Sequence, residues 1–272
     1  MKILVTGATG QLGSLVVESL LKTIPPQQLA LSVRDPEKAD HWRRQGVDVR
    51  QGDFDRPESL DQAFAGAHRM LLISTVGDNA TRIRQHRNAV AAAQKAGVRF
   101  IAYTSVANAD RSTLSLAEVH RTTEAAIRQT GIPFCFLRNN WYLENELGTI
   151  QAVMQGAPWV TSAGSGRVGW ALRRDYAQAA AAVLTGDGHE NTVYELSGKP
   201  MTYDELAAEL AALLGRDVPV QHVDDATYAS TLKHAGVPET MIPMIVEMQQ
   251  AIRQGALDVE SDDFQRLLGR PP

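Results

Sequence analysis

A single cysteine, Cys135, stands in the 272-residue chain, inside the apolar run FCFL. One thiol makes neither an internal disulfide nor a cysteine-clustered metal site, so a buried, inert thiol is expected. Long hydrophobic runs are also missing. The N-terminal MKILVTGATG carries one lysine and an apolar run broken at Gly7, too short for a signal-peptide core or a membrane span, so a cytoplasmic location is expected. Neither sign of charge dominates. The 27 Lys and Arg set against 31 Asp and Glu leave a formal net charge of -4, with no basic stripe; nucleic acid and membrane are therefore not expected partners. There is no acidic tail, internal repeat or low-complexity segment.

What is present is a soluble globular composition, with 44% hydrophobic residues, long enough to bury one large core. In the first half, short β-branched runs (KILVT, LALSVR, VDVRQ, RMLLIST, RFIAYTS, FCFLR) alternate with segments of helical length. The runs are apolar almost throughout, as strands buried on both faces must be, and the segments between them often end in glycine. The pattern predicts an α/β fold: a Rossmann-type doubly wound parallel sheet with a smaller α/β capping region. After residue 140 a helical stretch, the Gly/Ser loop SAGSGRVG, the Ala-rich RRDYAQAAAAVLT and the strand VYELSG supply the last part of the sheet. From Met201 onward helices and one short strand follow, the first opening with Thr202 and Glu205 spaced as a capping box. Residues 1–140 and 171–200 are expected to form the dinucleotide-binding domain, and 141–170 with 201–272 the substrate-capping region. Met241, Met244 and Met248 fall on one helical face, where core is the commoner role. The final LLGRPP reads as a frayed tail or a cut.

VTGATGQLG places Gly7, Gly10 and Gly13 three apart, after a strand and before an apolar-periodic helix. In that context the three have distinct uses: Gly7 for a tight turn, Gly10 for close backbone approach of a pyrophosphate, Gly13 for packing of helix on strand. Free N–H groups and the helix dipole then supply anion binding. About 20 residues on, where a carboxylate would hold a ribose 2′-hydroxyl, the second strand ends in Arg34. Guanidinium suits a 2′-phosphate, so NADPH is expected over NADH. Asp53 and Phe54 end the third strand where an adenine would lie, although Asp53 equally suits a turn cap. Ser74, Thr75 and Val76 end the fourth strand at the sheet edge where ligands collect.

Together, TGATGQLG, the VR of the second strand, LLIS, QHRN, GVRFIAYTS, TEAAIRQTGIPFCFLRN, WYLEN and GHENTVYELSG resemble the atypical short-chain dehydrogenase/reductases of the NmrA-like branch. Within it the chain resembles the group of type 2 NADPH:quinone oxidoreductases and triphenylmethane reductases, from Met1 to about Leu268. The resemblance implies that Gly7, Ala8, Thr9, Gly10, Gln11, Leu12 and Gly13 wrap the pyrophosphate, and that Ser74 to Val76 touch the middle of the cofactor. It further implies that Asn139, Asn140, Trp141, Tyr142, Leu143 and Glu144 flank the nicotinamide and the substrate. Arg173, in the family's R-x-D with Asp175, is a cofactor or loop-anchoring candidate. Two departures are expected: a lengthened loop VGDNATRI after strand four, and no helix after LLGRPP.

A short-chain dehydrogenase that makes an alcohol uses a Tyr-x-x-x-Lys pair to protonate the alkoxide. Here Tyr103 is followed by Ala107, Tyr142 by Glu146 and Tyr203 by Ala207. The acceptor should therefore need little acid assistance, as for a quinone or a triarylmethane-type cation, with catalysis resting on proximity in a dry pocket. Trp141 and Tyr142 are candidate stacking walls or simply an apolar helix start, and Asn140 a donor to a quinone oxygen. His120 is the catalytic or substrate-orienting candidate, with Glu124 one turn on to orient it; the alternative is a boundary residue bonded to the backbone. His86 is expected to be structural. The function expected is an NADPH-dependent reductase of small quinone-like molecules, with a homodimer as the candidate assembly. The alternative is a non-catalytic NADP-sensing regulatory protein, because a fold does not determine a function.

Overall fold

The computed structural model describes residues 1–272. In chain order its elements are β1 (Ile3–Thr6), α1 (Gln11–Leu20), β2 (Leu29–Val33), α2 (Asp40–Arg43), β3 (Asp48–Gln51), α3 (Pro57–Phe64), β4 (Arg69–Leu72), α4 (Asn79–Lys95), β5 (Phe100–Val106), α5 (Ala117–Gln129) and β6 (Phe134–Asn139). There follow α6 (Leu147–Met154), β7 (Trp159–Thr161), α7 (Arg173–Thr185), β8 (Thr192–Leu196), α8 (Tyr203–Leu214), β9 (Val220–His222), α9 (Asp225–His234), α10 (Ile242–Arg253) and α11 (Asp263–Leu268).

Seven strands form one sheet in the order β3-β2-β1-β4-β5-β6-β8, every neighbouring pair parallel. Side chains alternate across it: Ile3 and Val5 join a core with α1, α2 and α7, while Leu4 joins a core with α3, α4 and α5 on the other face. Strands covered on both faces explain the uninterrupted apolar runs. The order reverses between β1 and β4, and ligands in such sheets bind outside the carboxyl ends at that switch.

The cap is built on the parallel pair β7 and β9 with a third core around Trp159, Trp170, Tyr203, Met248 and Ile252. Helix α8 carries the expected capping box, Thr202 Oγ1 accepting from Glu205 N while the Glu205 carboxylate accepts from Thr202 N. Of the methionine face, Met248 is buried in this core, whereas Met241 and Met244 are exposed.

Two expectations need correction. The expected cap segment 201–272 divides, because α11 packs on α7 and β8, with Phe264 edge-on to Tyr176 at 5.1 Å in the core of the large sheet. Nor is VGDNATRI one long loop. Asp78 Oδ1 accepts from Thr81 N at 2.9 Å, and this N-cap starts α4 at Asn79.

Candidate active site

Gly7 has φ +61, the left-handed region that suits glycine, and turns the chain out of β1. At Gly13 a Cβ would come within 2.2 Å of Gly7 O and 2.8 Å of Ala8 Cα, so only glycine lets α1 lie this close to the loop. Gly10 is the N-cap of α1 and offers no side chain to its first amides, and the first turn has no acidic residue. Helices α4, α8 and α9 are each capped by an Asp or Thr oxygen, while α3, α5, α6 and α10 lack a side-chain cap as α1 does, so the glycines and not the missing cap distinguish α1. Uncapped amides at a glycine-lined helix start fit a phosphate anion. Gly7, Thr9, Gly10 and Gln11 are exposed along this cradle, whereas the Ala8 and Leu12 side chains are core, which leaves only their backbone for a ligand.

Arg34 follows the end of β2 with its side chain exposed, and its carbonyl accepts from Gln51 Nε2 at 3.2 Å. No carboxylate of the protein pairs with its guanidinium. That free cation at the 2′ position of a dinucleotide fits a phosphate there. Asp53 is employed in its turn, Oδ1 accepting from Asp55 N at 3.0 Å. Phe54 is half-buried against the core of α3 and α4.

The segment after β4 is fixed amide by amide. Ile73 N donates to Thr6 Oγ1 at 3.1 Å, Ser74 N to Thr104 Oγ1 at 2.9 Å and Thr75 N to His86 Nε2 at 2.9 Å. Ser74 therefore has its hydroxyl and carbonyl, and Thr75 its carbonyl, to offer a ligand, since Thr75 Oγ1 also lies 3.2 Å from the accepting His86 Nε2; Val76 is 91% exposed.

Beside this segment lies a cavity of about 160 Å³, whose wall includes Ser74, Thr104, Ser105, Leu114, Leu116, His120, Asn139, Asn140, Trp141, Tyr142, Asn145 and Leu257. Strand ends β4, β5 and β6, helix α5 and the cap thus meet in one place. Thr104, Ser105, Leu114, Leu116, Asn145 and Leu257 were not singled out from the sequence, because nothing local marks residues brought together from such distances.

Asn139 Oδ1 is buried without a partner, while Nδ2 donates to Tyr142 Oη at 3.3 Å. A free buried acceptor on this wall fits a carboxamide N–H. Asn140 differs from expectation. Its Nδ2 donates to Ser197 Oγ and to Leu257 O, each at 3.0 Å, and its Oδ1 accepts from Trp141 N at 2.8 Å. Both amide protons are used in joining sheet to cap, so none remains for a quinone oxygen. Glu144 also has another employment, its carboxylate accepting from Arg173 N at 2.9 and 3.1 Å at the start of α7.

Trp141 and Tyr142 both reach the cavity wall. Trp141 Nε1, Trp170 Nε1 and Tyr203 Oη all donate to Glu146 Oε1, at 3.1, 3.2 and 3.3 Å. Burial raises the Glu146 pKa against the opposing pull of these donors. Tyr142 stands edge-on to Tyr176 at 5.1 Å and carries the Arg173 guanidinium 5.0 Å from its ring centre. Leu143 packs against the cap core.

His120 is 4% exposed. Its Nδ1 lies 2.8 Å from Tyr103 Oη and its Nε2 3.4 Å from Arg82 Nη2. Arginine can only donate, so Nε2 accepts and Nδ1 carries the proton. Burial and then the Arg82 charge depress the His120 pKa. Glu124 does not orient it: Oε1 accepts from Ser105 Oγ at 2.6 Å and Arg138 Nε at 3.0 Å, and Oε2 from Arg138 Nη2 at 2.7 Å. Strand β6 places Arg138 between Glu124, Asp110 and Glu195, where a triple carboxylate clamp compensates its burial. His86 is also tautomer-locked. Thr75 N donates to Nε2, so Nδ1 donates to Thr123 Oγ1 at 2.8 Å, which in turn donates to Val119 O at 2.7 Å.

The model of the NmrA-like family matches residues 1–262. Quinone oxidoreductase 2 of Escherichia coli is 42% identical over 99% of this chain and 94% of its own length. The crystal structure of Citrobacter sp. triphenylmethane reductase complexed with NADP(H) superposes with a TM-score of 0.97 at 44% identity, covering 100% of this chain and 96% of that one. That of the E. coli NADPH-dependent quinone oxidoreductase with NADPH gives 0.94 at 42% identity, covering 99% and 95%.

Proposed function

The chain belongs to the NmrA-like family, and from that premise we propose that it is an NADPH-dependent reductase of quinones and of similar conjugated electrophiles, triarylmethane-type cations included. One observation carries the reading. A cradle suited to a dinucleotide phosphate opens beside a cavity whose wall has aromatic and small polar side chains but no proton donor of the Tyr-Lys kind. The relatives reduce quinones and triphenylmethane dyes, as their names state.

Bound in this cradle, NADPH supplies the hydride. The chain's own residues do the rest. The Gly7 to Gly13 loop and the first amides of α1 hold the pyrophosphate, Arg34 holds the 2′-phosphate, and Ser74, Thr75 and Asn139 position the nicotinamide end. Trp141 and Tyr142 flank a flat acceptor and keep water from it. His120 forms part of the wall as a neutral imidazole, so its loss weakens turnover without abolishing it. Ala8, Leu12, Asp53, Phe54, Val76, Leu143 and Arg173 support the cofactor through backbone or packing. A cytoplasmic setting, where a lone buried thiol such as Cys135 stays reduced, suits this chemistry.

The test is direct. Purified protein is given NADPH with 1,4-benzoquinone, naphthoquinones and triarylmethane dyes, and NADPH absorbance is followed. Consumption with any of these acceptors is expected. Binding of NADPH with flat absorbance across the panel would instead identify a non-catalytic sensor.

A further inference from the structure

The cavity wall carries no charged side chain, so the charges immediately behind it set its polarity. Three carboxylates lie there, all hydrogen-bonded, and only Glu124 is neutralised by a cation. Glu124 is paired with Arg138, Glu144 accepts from the first amide of α7, and Glu146 Oε1 takes three donors. Arg82 is different. It projects from the first turns of α4 onto His120, pairs with no carboxylate, and its Nε is buried without a partner. Its neighbour Arg84 shows the ordinary alternative, an ion pair with Asp55 at 2.7 Å. The groups facing Arg82, namely His120, Tyr103 and His86, all lie in its field and none is an anion. The Arg173 guanidinium, 5.0 Å from the Tyr142 ring centre, makes no ion pair and donates to Asn145 Oδ1 at 3.1 Å, although the Glu144 carboxylate sits on its backbone N–H.

Resting on the function proposed above, we infer that Arg82 is a specificity-determining residue that favours acceptors becoming anions on reduction, quinones, over acceptors that begin as cations, triarylmethane dyes. The balance of each reaction gives the reason. Hydride carries two electrons from the dihydronicotinamide, which is oxidised to nicotinamide, and forms one new bond on the acceptor. A neutral quinone becomes a hydroquinone anion, later protonated by water; a cationic dye becomes a neutral leuco form with no proton taken up. A guanidinium behind His120 stabilises the first product as its charge develops and repels the second substrate before reaction.

The two acceptors should therefore respond to Arg82→Gln in opposite directions. For 1,4-naphthoquinone kcat should fall about tenfold, the scale of one partly screened charge, and for crystal violet KM should fall. Arg82→Lys should retain the wild-type preference, and Arg82→Met, which keeps the apolar stem, should repeat the Gln result if Gln folds poorly. A second readout needs no turnover: quenching of tryptophan fluorescence in NADP⁺-saturated protein by crystal violet and by a sulfonated, anionic triarylmethane. Neutral variants should bind the cation more tightly and the anion less. An unchanged ratio between acceptors, or weaker NADPH binding with both acceptors slowed alike, would overturn the assignment, the latter by pairing Arg82 with the cofactor. If the wild type reduces neither acceptor the proposed function fails, while the binding comparison still decides the role of Arg82.

Discussion

Alanine at Gly13 probes the cofactor cradle at its tightest point. A Cβ there meets Gly7 O at 2.2 Å and Ala8 Cα at 2.8 Å, backbone atoms that no rotamer change can move. In an unobstructed helix the same change stabilises by about 1 kcal/mol. Here α1 must retreat from the loop, and overpacking of this kind costs roughly 1–3 kcal/mol. With an unfolding entropy of roughly 0.6 kcal/mol/K for a chain of this length, a net loss of up to about 2 kcal/mol lowers Tm by up to about 3–4 °C. The larger effect falls on the ligand. NADPH at a hundred times its Kd stabilises by about 2.7 kcal/mol, and a tenfold weaker cradle halves that to about 1.4 kcal/mol at the same concentration. Thermal melts with and without NADPH read both quantities. Gly10→Ala is the control for the melt without NADPH only, since its Cβ lies 3.2 Å from Gly7 O and needs a far smaller adjustment, while at the pyrophosphate it should weaken cofactor binding too. If Gly13→Ala melts at or above the wild type and keeps the full NADPH shift, the close approach of helix and loop does not build the site.

Other perturbations separate cofactor choice, acid sensitivity and the cap. Arg34→Ala should raise KM for NADPH by about 10- to 100-fold, the worth of hydrogen bonds to a charged group, and leave NADH nearly unchanged; equal effects on both would remove Arg34 from the 2′-phosphate. Burial, then the Arg82 charge, push the His86 pKa down to about 3. The unfolded chain, titrating near pH 6.5, takes up a proton that the folded state refuses, so this site's stability is whole above about pH 6.5 and drains as pH falls toward 3, by up to about 1.4 kcal/mol per pH unit. Melting curves from pH 7 to 4 should be less acid-sensitive for His86→Gln, and parallel curves would show that His86 is not the group responsible. Glu146→Gln keeps an acceptor for Trp141, Trp170 and Tyr203, whereas Glu146→Leu leaves three donors unpaired at about 1–3 kcal/mol each. Denaturant midpoints followed by tryptophan fluorescence should order wild type and Gln well above Leu; a Leu variant as stable as Gln would mean the donors find water.

The half of the candidate site proposed for the cofactor was readable in the sequence as a glycine-rich strand-to-helix turn because it is written in backbone terms over a few consecutive residues. Gly13 occupies a position whose geometry excludes any other side chain, Gly7 one whose positive φ favours glycine, and Arg34 directly follows a strand recognisable by its apolar run. The acceptor half was not legible in the same way. Thr6, Thr104 and His86 each tie one amide of the segment after β4, yet they lie on β1, β5 and α4, and no local pattern announces a bond across 67, 30 or 11 residues. Asn140 and Glu144 misled for the opposite reason. They do sit beside the cavity, but Leu257 and Arg173, distant in sequence, had already claimed their polar atoms. Glu124 was likewise claimed by Arg138.

The direction of the protons around His120 joins the missing Tyr-Lys pair to the choice of acceptor. Thr75 N must donate to His86 Nε2, which sends the Nδ1 proton to Thr123 and the Thr123 proton to Val119 O. Arg82 must donate to His120 Nε2, which sends the Nδ1 proton to Tyr103. Each imidazole proton thus points into the fold, away from the cavity, and burial raises the Tyr103 pKa far above its ordinary value. A ketone reduced here would develop an alkoxide, a strong base, while the phenol on the wall, Tyr142, has its pKa raised by burial and no lysine to lower it. A quinone spreads the same charge over an aromatic ring and can wait for water, and a cationic dye never develops it. The buried network therefore selects among acceptors by what it withholds.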